Sequence, residues 1–194
     1  MPDVAEAKLE RVGSGLAPVT DGWFVVNARD AAWIRHDTFG VETNFELSGP
    51  VARAGDGIEP RRFEQLGIGL HWLEPGQPST LYHAEPGNQE NFLVLAGECR
   101  AVIEGEERLL RQWDFVHCPP ATEHTIVGAG STSCVLVGVG AREHQPTTGW
   151  HYPVNELALR HHAGVRRETS DMNEAYADLP DRPTRYGDDW LPTF

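Results

Sequence analysis

Residues 81–97 read LYHAEPGNQENFLVLAG, and residues 113–127 read WDFVHCPPATEHTIV. Side chains of an extended chain alternate between two faces, so His83 and Glu85 share a side with Leu81. The chain turns at Pro86-Gly87 and enters a strand at Glu90, whose face also holds Phe92 and Val94. A carboxylate opening an apolar face is expensive unless it is paired, hydrogen-bonded or bound to a metal. In the second stretch the Pro119-Pro120 turn delivers His124 to the start of another apolar strand, with Ile126 on the same face. Two histidines and one or two carboxylates at strand starts form a nitrogen and oxygen ligand set suited to Fe(II), Mn(II), Ni(II) or Zn(II). The competing reading leaves Glu85 and Glu90 as ordinary strand-end residues around a metal-free cavity.

Around these two stretches, short apolar runs alternate with turn signals. The runs are 66–73, 80–84, 90–95, 99–103, 108–110, 114–118, 124–127 and 132–139, punctuated by pairs such as Pro75-Gly76, Ala96-Gly97 and Glu104-Gly105. Strands this short and this many must close or stack to remove their edges, which predicts an all-β jelly-roll barrel over residues 66–142. Residues 1–65 read as an N-terminal extension with strands added to the barrel, including the alternating segment 41–47. Residues 143–194 read as a C-terminal extension. In it, 153–162 has helical spacing, Ser170 or Asp171 can cap a second short helix through Ala177, and the last fifteen residues run extended.

Composition narrows the function classes. The 29 acidic residues outnumber 16 Lys and Arg, for a formal charge of -13, which disfavours nucleic acid and anionic membranes as partners. No apolar segment reaches transmembrane length and no signal-like start is present, so a cytoplasmic location is expected. Cys99, Cys118 and Cys134 each sit in strand-like apolar settings, which favours buried reduced thiols; Cys118 is also a conceivable soft ligand. No nucleotide-binding glycine fingerprint, nucleophile elbow or Ser/His/Asp set is found.

The two opening stretches resemble the paired motifs of the cupin superfamily. The first family motif is HxH, three or four residues, Glu, six residues, Gly; here His83-Ala84-Glu85 is followed by four residues, Glu90, six residues and Gly97. The second is Gly, five residues, Pro-x-Gly, two residues, His, three residues, Asn. Here it reads Trp113, five residues, Pro119-Pro120-Ala121, two residues, His124, three residues, Gly128. The spacing is kept, while Glu85 replaces a histidine, Trp113 and Ala121 replace glycines, and Gly128 replaces the asparagine. The resemblance implies a double-stranded β-helix with His83, Glu90 and His124 at three of the usual metal positions and Glu85 at the fourth. It also implies a homodimer and a small organic molecule as ligand.

The reaction classes implied are dioxygenase, isomerase, epimerase or decarboxylase chemistry at a divalent metal. The alternatives are a non-catalytic binding or storage cupin, and a structural dimer whose metal fixes the barrel. His71 and His117 are the candidate catalytic proton carriers, with a hydrogen-bonded structural histidine as the competing reading for each. His117 and Cys118 are adjacent, so only one of them can face the barrel interior. His144, His151, His161 and His162 read as surface residues, and Trp33, Trp150 and Trp190 as core or interface side chains.

Overall fold

The computed structural model describes residues 4–55, 58–142 and 149–192. In chain order the elements are β1 (Leu9–Val12), β2 (Gly15–Pro18), β3 (Trp33–His36), β4 (Val41–Thr43), α1 (Gly49–Arg53), β5 (Leu66–Leu73), β6 (Glu90–Ala96) and β7 (Glu98–Ile103). They continue with β8 (Glu106–Arg111), β9 (Phe115–Cys118), β10 (His124–Ala129), β11 (Cys134–Ala141), α2 (Glu156–Arg160), α3 (Met172–Ala175) and β12 (Asp181–Thr184). The fold is all-β, as the run-and-turn pattern predicts. One sheet has the order β12-β3-β4-β5-β11-β6-β9, a second has β10-β7-β8, and β1 and β2 form a separate hairpin.

Strand parity decides what lies between the sheets. Leu73, Leu136, Phe92 and Val94 from the large sheet meet Cys99, Ala101 and Ile126 from the small one in one buried cluster. Burying each large aliphatic or aromatic side chain of this kind contributes about 1.5–3 kcal/mol. The opposite face of β5 carries Leu70 and Trp72, which pack against Val41, Trp33 and Trp190. Segments far apart in sequence therefore cover the outside of the barrel, with the Trp190 ring 5.3 Å from Trp33 and 5.8 Å from Trp72. Cys99, Cys118 and Cys134 are buried free thiols.

Two expected strands are shorter than the sequence suggests. The run 80–84 forms only isolated bridges, His83 to His124 and Ala84 to His151. Its amides are drawn elsewhere: Leu81 N donates to Tyr176 Oη at 3.1 Å and Tyr82 N to Ala163 O at 2.7 Å, so no continuous ladder can form. The run 41–47 stops as a strand at Thr43, because Phe45 adopts a left-handed φ of 57°. The helix expected over 153–162 is confined to α2, where the Asn155 side chain accepts from Leu157 N and Ala158 N. Asp171 caps α3 by accepting from Asn173 N. Among the described residues no helix is long and apolar enough to cross a membrane. His144 lies outside the described residues.

Candidate metal centre

His83 and His124 are cross-strand partners, joined by His83 N to His124 O at 3.1 Å and His124 N to His83 O at 2.8 Å. Both residues are 3–4% exposed, and their rings lie 5.2 Å apart. Glu90 opens β6 on the same inner face. The ligand atoms of His83, Glu90 and His124 all lie within 4.8 Å of one another. His124 Nε2 stands 2.9 Å from Glu90 Oε2, and His83 Nε2 stands 3.9 Å from the same oxygen.

The hydrogen bonds around this trio fix which atoms face inward. His83 Nδ1 is 2.7 Å from Leu81 O, and His124 Nδ1 is 3.0 Å from Thr122 O. A carbonyl only accepts, so each Nδ1 carries the proton, and in the neutral ring each Nε2 presents its lone pair to the cavity. Backbone carbonyls that orient metal-binding imidazoles in this way are a recurrent arrangement. Glu90 Oε2 is buried with no well-directed hydrogen bond, an orphaned acceptor whose natural partner is a cation. The two nitrogens and one carboxylate oxygen fit a divalent ion on chemistry as well as on spacing.

Charge keeps the trio poised. Burial would raise the Glu90 pKa, but His124, His83 and His71 outweigh it and hold the carboxyl below its usual range. Burial would lower the His83 pKa, yet Glu85 and Glu90 outweigh that and raise it. Glu85 stands outside the tight trio. One of its oxygens is 3.9 Å from His83 Nε2, and the other accepts from Asn88 Nδ2 at 2.7 Å.

Of the two candidate proton carriers, only His71 lines the cavity. Its Nδ1 is 3.4 Å from Glu42 Oε2, and burial holds its pKa below the ordinary histidine value despite that carboxylate. His117 corrects the expectation. It lies on the exposed outer face of β9, with Nδ1 2.7 Å from Asn91 Oδ1. The reason is parity: Cys118 pairs with Glu90 and takes the inward place, so His117 must point out.

The cavity itself measures about 560 Å³. Its floor is a patch of sheet without side chains, since Gly67 faces Gly140 and Gly69 faces Gly138 across β5 and β11. Each of these glycines lets a polar group or ring lie close to the sheet. A methyl group would come 2.7 Å from Arg142 Nη2 at Gly67 and 2.7 Å from Asn44 Oδ1 at Gly69. At Gly140 it would come 3.3 Å from Glu90 Oε1, and at Gly138 3.5 Å from His71 Nε2. The Trp150 ring forms part of the wall, 5.3 Å from the His83 ring.

Glu42, Trp150, Arg62 and Arg142 were not singled out from the sequence as site residues. The alternations Gly67-x-Gly69 and Gly138-x-Gly140 were a usable signal, because paired glycines on one strand face mark a close approach. Nothing in local spacing marks Trp150 or Glu42.

Residues 69–140 match the cupin domain family. The barrel is a cupin domain. Similar solved structures include a proposed sugar phosphate isomerase from Acidithiobacillus ferrooxidans, 27% identical over 56% of this chain and 67% of that one, with a TM-score of 0.41. Another is a cupin-superfamily sugar phosphate isomerase from Silicibacter pomeroyi, 26% identical over 53% of this chain and 61% of that one, with a TM-score of 0.42. A third, from Klebsiella pneumoniae, is an uncharacterized protein with a double-stranded β-helix domain, 21% identical over 50% of this chain and 84% of that one, with a TM-score of 0.41. No curated protein matches the sequence. The motif glycines absent from this cupin leave a trace in its backbone. Trp113 and Ala121, which stand in their place, keep left-handed φ values of 75° and 67°.

Proposed function

We propose that this cupin is a divalent-metal-dependent enzyme that moves a proton on a small, oxygen-rich molecule, in the manner of an isomerase. His83, Glu90 and His124 would hold the ion, with Glu85 alongside His83 as a further carboxylate. Fe(II), Mn(II), Ni(II) and Zn(II) all suit such a set. A divalent ion there supplies Lewis acidity toward a hydroxyl or carbonyl oxygen.

The observation that carries the reading is His71. Its Nδ1 faces Glu42 and its Nε2 lies over Gly69 and Gly138 on the floor of the same cavity. With its pKa lowered by burial, the imidazole is neutral at neutral pH and able to accept a proton. Glu42 positions it. The wall is polar, with Asn44, Ser79 and Thr80 contributing, which favours a hydroxylated ligand over an apolar one.

The test is to load the protein with each ion and incubate it in D2O with a panel of aldoses, ketoses and 2-oxo acids. NMR then follows deuterium incorporation. Exchange that needs the metal and disappears in His71→Gln supports the proposal. Oxygen consumption without exchange would move the assignment to a dioxygenase.

One observation favours a binding cupin without turnover. His124 Nε2 and Glu90 Oε2 already meet at 2.9 Å, a contact that a proton shared between them would close without any metal ion. Elemental analysis of the purified protein separates the two readings, since the binding cupin needs no stoichiometric metal. Pairing with a second copy belongs to the same proposal. Leu109, Trp113 and Phe115 are 50–63% exposed on or beside the free edges β8 and β9, where a partner would cover them.

A further inference from the structure

The cavity contains positive charge that the metal centre does not explain. The chain carries a formal charge of -13, yet two arginines, Arg62 and Arg142, line this cavity. Among the described residues, Arg142 is held through Nη1. Its Nη1 pairs with the buried Glu46 carboxylate and donates to Phe63 O at 2.9 Å. Its Nε and Nη2 lie over the inner face of Gly67, where a methyl group would come within 2.9 and 2.7 Å of them. The glycine is what allows the guanidinium to lie flat on the sheet. Arg62 is exposed at the same cavity and has no ion pair among the described residues.

Sheet register relates this end of the cavity to the metal trio. Gly67, Gly140 and Glu90 are consecutive cross-strand partners on β5, β11 and β6. Two inter-strand spacings, about 10 Å, therefore separate the backbone under Arg142 from the backbone that carries Glu90. Between them lies the side-chain-free floor, with His71 to one side. A ligand that reaches both ends is short, lies over the glycines, and carries negative charge at one end and ligating oxygens at the other.

We propose that Arg142 and Arg62 form an anion subsite, and that the cavity takes a small hydroxylated molecule bearing a phosphate or carboxylate group. Planar guanidinium groups suit both oxyanions through paired, charge-assisted hydrogen bonds. The proposal deepens the reading of this cavity as the substrate site, but the subsite itself needs no metal.

The test uses the full chain freed of metal by chelation, titrated with inorganic phosphate and with malonate, each followed by calorimetry. Saturable binding is expected for at least one anion, with glycerol failing to compete. Arg62→Gln should weaken it about tenfold, the loss of one charge-assisted contact. Tighter phosphate assigns a phosphate ester, and tighter malonate assigns an acid. Arg142→Gln strips a buried carboxylate of its partner and can unfold the chain, so the Arg62 variant, with its fold checked by circular dichroism, carries the test. Anion binding that Arg62→Gln weakens, in a parent chain that takes up no metal, would keep the subsite while removing the metalloenzyme reading. Absence of saturable binding, or equal binding by parent and Arg62→Gln, overturns the subsite.

Discussion

His71 Nδ1 stands 3.4 Å from one oxygen of Glu42, whose other oxygen stands 3.7 Å from His36 Nε2. Burial would raise the Glu42 pKa, but the two imidazoles outweigh it and bring it down to about 2 from 4.5. A carboxyl whose folded pKa is depressed stabilises the fold fully above its unfolded value and loses that contribution as pH falls through the folded one. Glu42 should therefore account for a loss on the order of 3 kcal/mol between about pH 4.5 and pH 2. Urea unfolding across this window should show a steeper loss in the parent than in Glu42→Gln. Equal slopes would contradict the assignment.

Metal occupancy should be visible in stability and in fluorescence. An ion that binds only the folded state at 100 times its Kd adds about 2.7 kcal/mol, so Tm should rise by several degrees with Zn(II). That rise should vanish in His83→Ala/His124→Ala. Because the Trp150 ring is 5.3 Å from His83, Ni(II) should quench part of the tryptophan emission. Trp150→Phe should lose that quenching while keeping the thermal shift.

Ala121 is held at φ 67° in the turn that leads to His124, and its N donates to Glu85 O at 2.9 Å. A left-handed non-glycine residue costs about 1–2 kcal/mol, of which glycine recovers the greater part. Ala121→Gly is expected to raise Tm by about 2–4 °C in a chain of this size. A scanning calorimetry trace with Tm unchanged or lowered would count against strain at this turn.

Gly140 lies beneath Glu90, where a methyl group would stand 3.3 Å from Oε1 and 3.6 Å from Cγ. Gly140→Ala should fold, because the carboxylate can yield by a few tenths of an ångström. Displacing it from the imidazoles should weaken metal affinity by about 10–100-fold, the range seen when ligand orientation is disturbed. Competition against a chelating indicator reads this directly, and affinity equal to the parent's would remove Glu90 from the ligand set.

The barrel was legible because its signals are local. Alternation places Phe92 and Val94 on one face, and the Pro119-Pro120 turn sets the entry to His124. The positions of His83, Glu90 and His124 were legible for the same reason, since two turns and one cross-strand pairing determine them. Glu42 was hidden because its partners, His36 and His71, come from two neighbouring strands and meet only when the sheet forms. Trp150 was hidden because it reaches the cavity through Ala84 bridging His151, a pairing between distant segments. The shortened segment 80–84 has the same origin: Ala163 and Tyr176 take the amides that a local reading would give to a strand.

β3 and β12 are hydrogen-bonded neighbours although Arg182 and Asp37, which pair beside them, are 145 residues apart in sequence. Loop closure over such a span is a slow, entropically opposed event. Until residues 181–184 have left the ribosome, β3 presents an open edge, and Trp33 waits for the Trp190 ring that covers it. Completion of the sheet thus waits on the synthesis and exit of residues 181–184. For that interval the nascent barrel offers an unpaired strand and an apolar surface that a chaperone, or a neighbouring nascent chain, can engage.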